Sequence, residues 1–228
     1  MIDLPWLEPG ASQFPPTQQA LDEPNGLLAC GGSLNVDTLL NAYRQGIFPW
    51  FDEDQPILWW SPSPRAIVIP GQEHISKSLA KFIRNTELQV SYDKAFTQVM
   101  EACAAPRSYS DETWICAEMI GAYQQLHQQG FAHSVECWLD GKLVAGLYGI
   151  AIGSIFFGES MFTQVSNGSK LAFSHLCTRL KAAEFGLIDC QVRNKHLDSL
   201  GALQWPRDKF ESELRRLIEK PSKFCPFV

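Results

Sequence analysis

The sequence predicts an α/β chain of the α+β kind in two parts. A small N-terminal domain covers residues 1–63, and a larger domain covers 64–228, with a mixed, largely antiparallel sheet flanked by helices. Three observations predict it. Composition changes at "SPSP" (61–64): upstream the chain is rich in Pro and Trp ("LPWLEPG", "FPPTQQ", "IFPWFDEDQPILWWSPSP"), and downstream helix-period and strand-period segments alternate. Residues 132–162 carry three strand-like runs joined by tight-turn residues, the mark of an antiparallel meander. Finally, 228 residues with 45% hydrophobic content suffice for one large domain or two small ones with real cores.

One helix is legible in the first part. Asn35 caps it, Val36, Leu39, Leu40 and Tyr43 fall on one face at i, i+3, i+4 and i+7, and Gly46 ends it. Downstream, "AIVIP" reads as a short strand, "ISKSLAKFIRN" as a helix and "LQVSY" as a strand. Asp93 is then expected to cap a helix with Phe96, Val99, Met100 and Cys103 on one stripe. A further helix is predicted from about Ile115 to Gln129, stopping at Gly130. The meander follows: "AHSVECWLD", an Asp140-Gly141 turn, "KLVAGLYGIAI", a turn at Gly153, and "SIFFGESMF". "SKLAFSHLCTRLKAAEFG" is a helix, "LIDCQV" a strand, "NKHLDSLGA" a short helix and "RDKFESELRRLIEK" a charged terminal helix.

Charge and cysteine usage exclude several function classes. A net charge of −6 and a pI near 5.4 argue against broad attraction to nucleic acid or an anionic membrane, so a polyanion would have to be met by a local patch. "MIDLPWLEPG" has no basic n-region or apolar h-region, and no apolar run approaches a bilayer-spanning length, so the expectation is a cytoplasmic protein with no membrane partner. The seven cysteines are scattered and form no CxxC, which fits reduced thiols better than disulfides or a zinc site. His74, His127, His133, His175 and His196 form no ligand pair around a carboxylate base, and no metal is expected. "GESMF" lacks the second Gly of a nucleophile elbow and leaves a meander instead of a strand-to-helix turn, against a serine hydrolase.

Four features invite a function, each beside a plainer reading. Glu159 in "FFGESMF" is a carboxylate in an apolar strand, and such a group is exposed, paired or functional. Asp189 and Gln191 lie two apart in "LIDCQV"; strand period sends both to one face, either a solvated one or a pocket wall shared with Glu159. Trp50, Trp59 and Trp60 are core residues or, where exposed beside a cleft, platforms for a nucleobase. Lys77, Lys81 and Arg84 form a stripe opposite Ile75, Leu79, Phe82 and Ile83, which is a solvated helix face or a phosphate dock.

The segments "EPNGLLACGGSL", "AYRQGIFPWF", "PILWWSPSPRA", "HISKSL", "TWI", "AHSVE", "LVAGLYGIAIG", "FFGESMF", "SNGSK", "LIDCQV" and "SLGA", spread from residue 23 to about 202, resemble the bacterial leucyl/phenylalanyl-tRNA protein transferases. The resemblance implies a small N-terminal domain followed by a domain like the Gcn5-related N-acetyltransferases. It implies transfer of Leu or Phe, less readily Met, from aminoacyl-tRNA to the N-terminal Arg or Lys of a protein, marking that protein for degradation. It also implies a monomer that uses no cofactor, neither metal nor CoA.

On the same resemblance, Asp189 and Gln191 match a catalytic pair, and Glu159 matches an active-site carboxylate that holds a cation. Trp50 and Trp114 match tryptophans that hold the terminal adenosine of the tRNA, with Tyr43 and Tyr123 near them in the motif. Leu147, Phe156, Phe173, Leu176 and Ile188 match the lining of the pocket for the donor side chain. Two rivals remain open at this point. A CoA-dependent acetyltransferase would need a Gly-rich pyrophosphate loop, for which "QVSNGSK" offers a single Gly; a tRNA-end binding module would not need Asp189 with Gln191.

Overall fold

The computed structural model describes residues 4–10, 13–105, 115–223 and 225–227. In chain order its elements are β1 (Trp6–Leu7), β2 (Leu27–Gly31), α1 (Val36–Arg44), β3 (Phe48–Pro49), β4 (Leu58–Trp60), β5 (Arg65–Val68), α2 (Lys77–Asn85), β6 (Gln89–Tyr92) and α3 (Phe96–Ala104). There follow α4 (Ala117–Gln128), β7 (Ala132–Leu139), β8 (Lys142–Ile152), β9 (Ile155–Thr163), α5 (Gly168–Ala182), β10 (Leu187–Gln191), α6 (Lys195–Ser199), β11 (Leu203–Trp205) and α7 (Arg207–Ile218).

The chain before residue 61 builds a small sheet in the order β1-β2-β4-β3, with α1 beside it. Asn35 caps α1 as its sequence predicts, its side-chain oxygen accepting from Thr38 N at 2.8 Å. The four short strands were not legible: runs of two to five residues rich in Trp and Pro show no alternation. Trp59 is fully buried there and donates Nε1 to Gly31 O at 2.9 Å, which satisfies its one polar atom.

The larger sheet runs β11-β5-β10-β9-β8-β7-β6. Strands β7, β8 and β9 form the expected antiparallel meander, while β9 and β10 are parallel and are therefore joined by the α5 crossover. One face packs on α3 and α4 through Phe96, Val99, Met100, Met119 and Tyr123 against Tyr148, Ile150 and Phe157, and this core continues into Leu39, Tyr43 and Trp59 of the N-terminal part. The other face packs on α5, with Leu171, Phe173, Leu176 and Leu180 against Val135, Leu147, Phe156 and Ile188. Among the described residues no helix is long and apolar enough to cross a membrane.

Asp93 does not cap α3. Its backbone is left-handed (φ 56°), and its carboxylate reaches β7, accepting from Ser134 N at 2.8 Å and pairing with His133 Nδ1 at 2.7 Å. The buried Glu136 stands in from β7, accepting from Ala95 N at 3.4 Å and from the Ser91 and Ser134 hydroxyls at 2.5 Å each. The two residues Asp93 and Glu136 thus tie the start of α3 to the sheet by tertiary contacts, which a local capping rule does not see.

Gly149 on β8 permits the closest strand approach in the meander. A Cβ there would lie 2.1 Å from Phe157 O and 2.6 Å from Phe156 Cζ. Gly149→Ala is therefore expected to overpack the sheet by about 1–3 kcal/mol, lowering the melting temperature by about 2–12 °C for a chain of this size. An unchanged thermal unfolding curve would contradict it.

Candidate active site

The site forms where two parallel strands part. β9 and β10 pair at Ile155–Leu187, Phe156–Ile188 and Phe157–Asp189. Directly beyond those pairs each strand carries a bulge. On β9, Gly158 and Ser160 face Gly149 and Tyr148, leaving Glu159 as the extra residue. On β10, Asp189 and Gln191 face Ile67 and Ala66, leaving Cys190 as the extra residue, and Gln191 takes φ 55°. Bulges bend a strand and re-aim its side chains, so two at the same level open a notch.

A cavity of about 1130 Å³ fills that notch and is lined by Leu147, Phe156, Phe173, Leu176 and Ile188, the five residues assigned to a donor pocket. Glu159 and Gln191 stand in its wall and bridge the notch, Gln191 Nε2 donating to Glu159 Oε1 at 3.1 Å. Gln191 Oε1 is left to accept from something else. Lys195 and His196 also line the cavity and carried no signal that set them apart in the sequence.

Asp189 does not share this wall. Strand period predicted one face for Asp189 and Gln191, but the extra residue Cys190 interrupts the alternation between them, and only Gln191 lines the cavity. Asp189 is 0% exposed and pairs with Arg65, whose Nε and Nη2 donate to its two oxygens at 2.8 and 2.7 Å. Its link to Gln191 is through the backbone, Asp189 Oδ1 accepting from Gln191 N at 3.0 Å. Arg65 was missed, yet the sequence held the same clue as at Glu159: a charged residue opening the apolar strand "RAIV".

Tyr43 and Tyr123 are fully buried and meet the site by their hydroxyls. Tyr123 OH donates to Glu159 Oε2 at 3.1 Å, and Tyr43 OH lies 2.5 Å from Tyr123 OH. Trp50 is 43% exposed, its ring 5.5 Å from that of Trp60, and neither lines the cavity. Trp114 lies outside the described residues. Lys77, Lys81 and Arg84 are exposed on α2, which buries Leu79, and they too stand outside the cavity lining.

Burial pushes the Glu159 carboxyl up from 4.5 to about 7. The Tyr43 and Tyr123 hydroxyls oppose that rise, Asp189 adds to it and Arg65 reduces it. Among the described residues the hydrogen-bond donors to Glu159 are neutral. The wall thus presents a carboxylate that gives up its proton near neutrality and has room for a cation, beside an oriented carboxamide oxygen. Both Tyr phenols are held well above their usual range, by burial first and then by the nearby Glu159 charge, so they act as donors.

Two family models match the chain: "Leucyl/phenylalanyl-tRNA protein transferase N-terminal domain" over residues 32–63 and "Leucyl/phenylalanyl-tRNA protein transferase" over 67–215. Curated relatives named leucyl/phenylalanyl-tRNA–protein transferase include one from Cellvibrio japonicus, 52% identical over 97% of this chain and 94% of its own. Another, from Pseudomonas entomophila, is 54% identical over 96% of this chain and 97% of its own. Among solved structures, a GCN5-related N-acetyltransferase from Kribbella flavida is similar at TM-score 0.39 and 15% identity, covering 73% of this chain and 60% of that one. A structure of L-PGS from Bacillus licheniformis gives TM-score 0.40 and 11% identity, covering 73% and 53%. With both family models and near-full-length relatives at such identity, the chain is an aminoacyltransferase and belongs to the leucyl/phenylalanyl-tRNA protein transferase family.

Proposed function

We propose that this protein transfers Leu or Phe, and Met less readily, from aminoacyl-tRNA to the N-terminal Arg or Lys of a protein, which is thereby marked for degradation. The observation that carries the reading is the apolar cavity with Glu159 and Gln191 bridging its open edge. Leu147, Phe156, Phe173, Leu176 and Ile188 take the donor side chain, where each lost methylene costs about 1 kcal/mol of binding. Trp50 offers a face to the terminal base, so residues 1–63 act as a domain that serves the tRNA end, and Lys77, Lys81 and Arg84 of the larger domain meet phosphates. The enzyme works as a monomer in the cytoplasm.

The chemistry is aminolysis of an ester. The acceptor's α-nitrogen bonds to the carbonyl carbon, the bond from that carbon to the ribose oxygen breaks, and the amine proton leaves while the ribose oxygen gains one. The ester is already activated, so alignment of a neutral amine is the main need and no covalent nucleophile is required. Glu159 receives the incoming ammonium. An α-amino group near pKa 8 and a carboxyl at about 7 are close enough for the proton to pass between them. Gln191 Oε1 then accepts an N–H of the amine and aims its lone pair.

The test mixes the purified protein with tRNA charged with labelled Leu or Phe and with peptides starting Arg, Lys or Ala. Label entering only the Arg and Lys peptides is the expected result. Label in none of them, with charged tRNA still bound, would favour a binding module over an enzyme.

A further inference from the structure

Behind the cavity wall, Arg65 and Asp189 form a pair that is 1% and 0% exposed. Both Asp189 oxygens are engaged: Oδ1 accepts from Arg65 Nε at 2.8 Å and Gln191 N at 3.0 Å, and Oδ2 accepts from Arg65 Nη2 at 2.7 Å. Neither Arg65 nor Asp189 lines the cavity, whose wall includes Ile188, Cys190 and Gln191. A substrate amine in the notch has no direct path to that carboxylate.

Arg65 is itself fixed on every side. Its guanidinium lies 4.9 Å from the Phe48 ring and 4.7 Å from the Phe210 ring, one from the N-terminal sheet and one from α7. Its Nη1 is buried with no hydrogen-bond partner among the described residues. Leaving such a donor unmet is costly, so the group is held there by its other contacts and not by a need to satisfy that atom. What it holds in turn is uncommon: Gln191 keeps a left-handed backbone (φ 55°), a conformation that is disfavoured for a non-glycine residue and that the bond from Gln191 N to Asp189 helps to hold.

We propose that Arg65 is a positioning residue for transfer. Through Asp189 it clamps the bulged backbone of Gln191 and so aims the carboxamide across the notch; Asp189 is the link in that chain and not the destination of the proton. The inference rests on the transferase reading above and adds a residue to it.

A double-mutant cycle tests it. Arg65→Lys is expected to lower kcat by about 10- to 100-fold, the scale of a misplaced reacting group, with KM for charged tRNA within about twofold, because Arg65 touches nothing in the cavity. In a Gln191→Ala background the same change is expected to alter kcat by less than about twofold, since groups acting as a unit are not additive. Losses that multiply would overturn the proposal. Asp189→Asn supplies an independent readout should Arg65→Lys fail to fold: it retains an acceptor for Gln191 N, so kcat is expected to drop by one factor at every pH. A pH–rate profile that loses or moves an inflection in Asp189→Asn would make Asp189 a proton carrier and overturn the proposal. Wild-type protein that labels no peptide removes the transferase reading and this inference together; active wild type with multiplying losses removes this inference alone.

Discussion

Asp189→Ala is expected to lower the unfolding free energy by about 3–5 kcal/mol, the cost of stranding one member of a buried ion pair. At 2–4 °C per kcal/mol for a chain of this size, the melting temperature falls by about 6–20 °C. Three contacts are lost at once: both hydrogen bonds from Arg65 and the acceptor for Gln191 N. Arg65 then stays buried between Phe48 and Phe210 with its charge unpaired and a third nitrogen already unmet. Removing both partners should be milder than removing either, so Arg65→Met with Asp189→Leu is expected to recover part of the loss. Urea unfolding with unchanged slope is the measurement. A single variant within about 1 kcal/mol of wild type would show that the pair does not bear on stability as its burial requires. Transfer is expected to be lost beyond the loss of folded protein, because Gln191 is released from its bulge.

Glu159→Gln is expected to act in the opposite sense on stability while lowering transfer. The Glu159 carboxyl has its folded value raised from 4.5 to about 7, so the folded state binds this proton more tightly than the unfolded chain does. Below pH 4.5 the group is neutral in both states and costs nothing. As pH rises from about 4.5 to about 7 the unfolded chain ionises first and wild type loses stability; above about 7 the loss is complete and constant. Its ceiling is about 3 kcal/mol, at 1.36 kcal/mol per pKa unit. Gln removes the charge and keeps one acceptor oxygen for Tyr123 OH, while its NH2 can meet Gln191 once that carboxamide turns to present its oxygen, so Glu159→Gln should exceed wild type in stability at pH 8 by up to about that amount. The difference should vanish toward pH 4.5. Unfolding measured from pH 4.5 to 8 checks it, and a difference that does not vary with pH would sink the idea. Transfer by Glu159→Gln is expected to fall by about 100-fold, the usual scale for a lost general base. Gain in stability with loss of activity is what a site residue kept at a cost predicts.

Both effects arise at positions that a sequence marks only as anomalies. Glu159 was conspicuous because a carboxylate stood in an apolar strand, and the structure answers with neutral donors and a cavity. Arg65 carried the same anomaly at the head of β5, but its partner lies 124 residues away and nothing local names it. The five apolar residues of the cavity were reached by resemblance; their convergence from β8, β9, α5 and β10 is a tertiary fact.

By itself the sequence determined the meander β7-β8-β9, the capped helix α1, the long helix α5 and the strand β10, because side-chain period and turn residues are local properties of the chain. Its motifs also determined the family. Only the tertiary structure decided that Asp189 pairs with Arg65 behind the cavity wall and that Glu159 and Gln191 meet across it. The physical reason is the pair of bulges at Glu159 and Cys190: an extra residue reverses the parity of everything beyond it. Whether a strand carries one depends on its neighbours' register, which distant residues set.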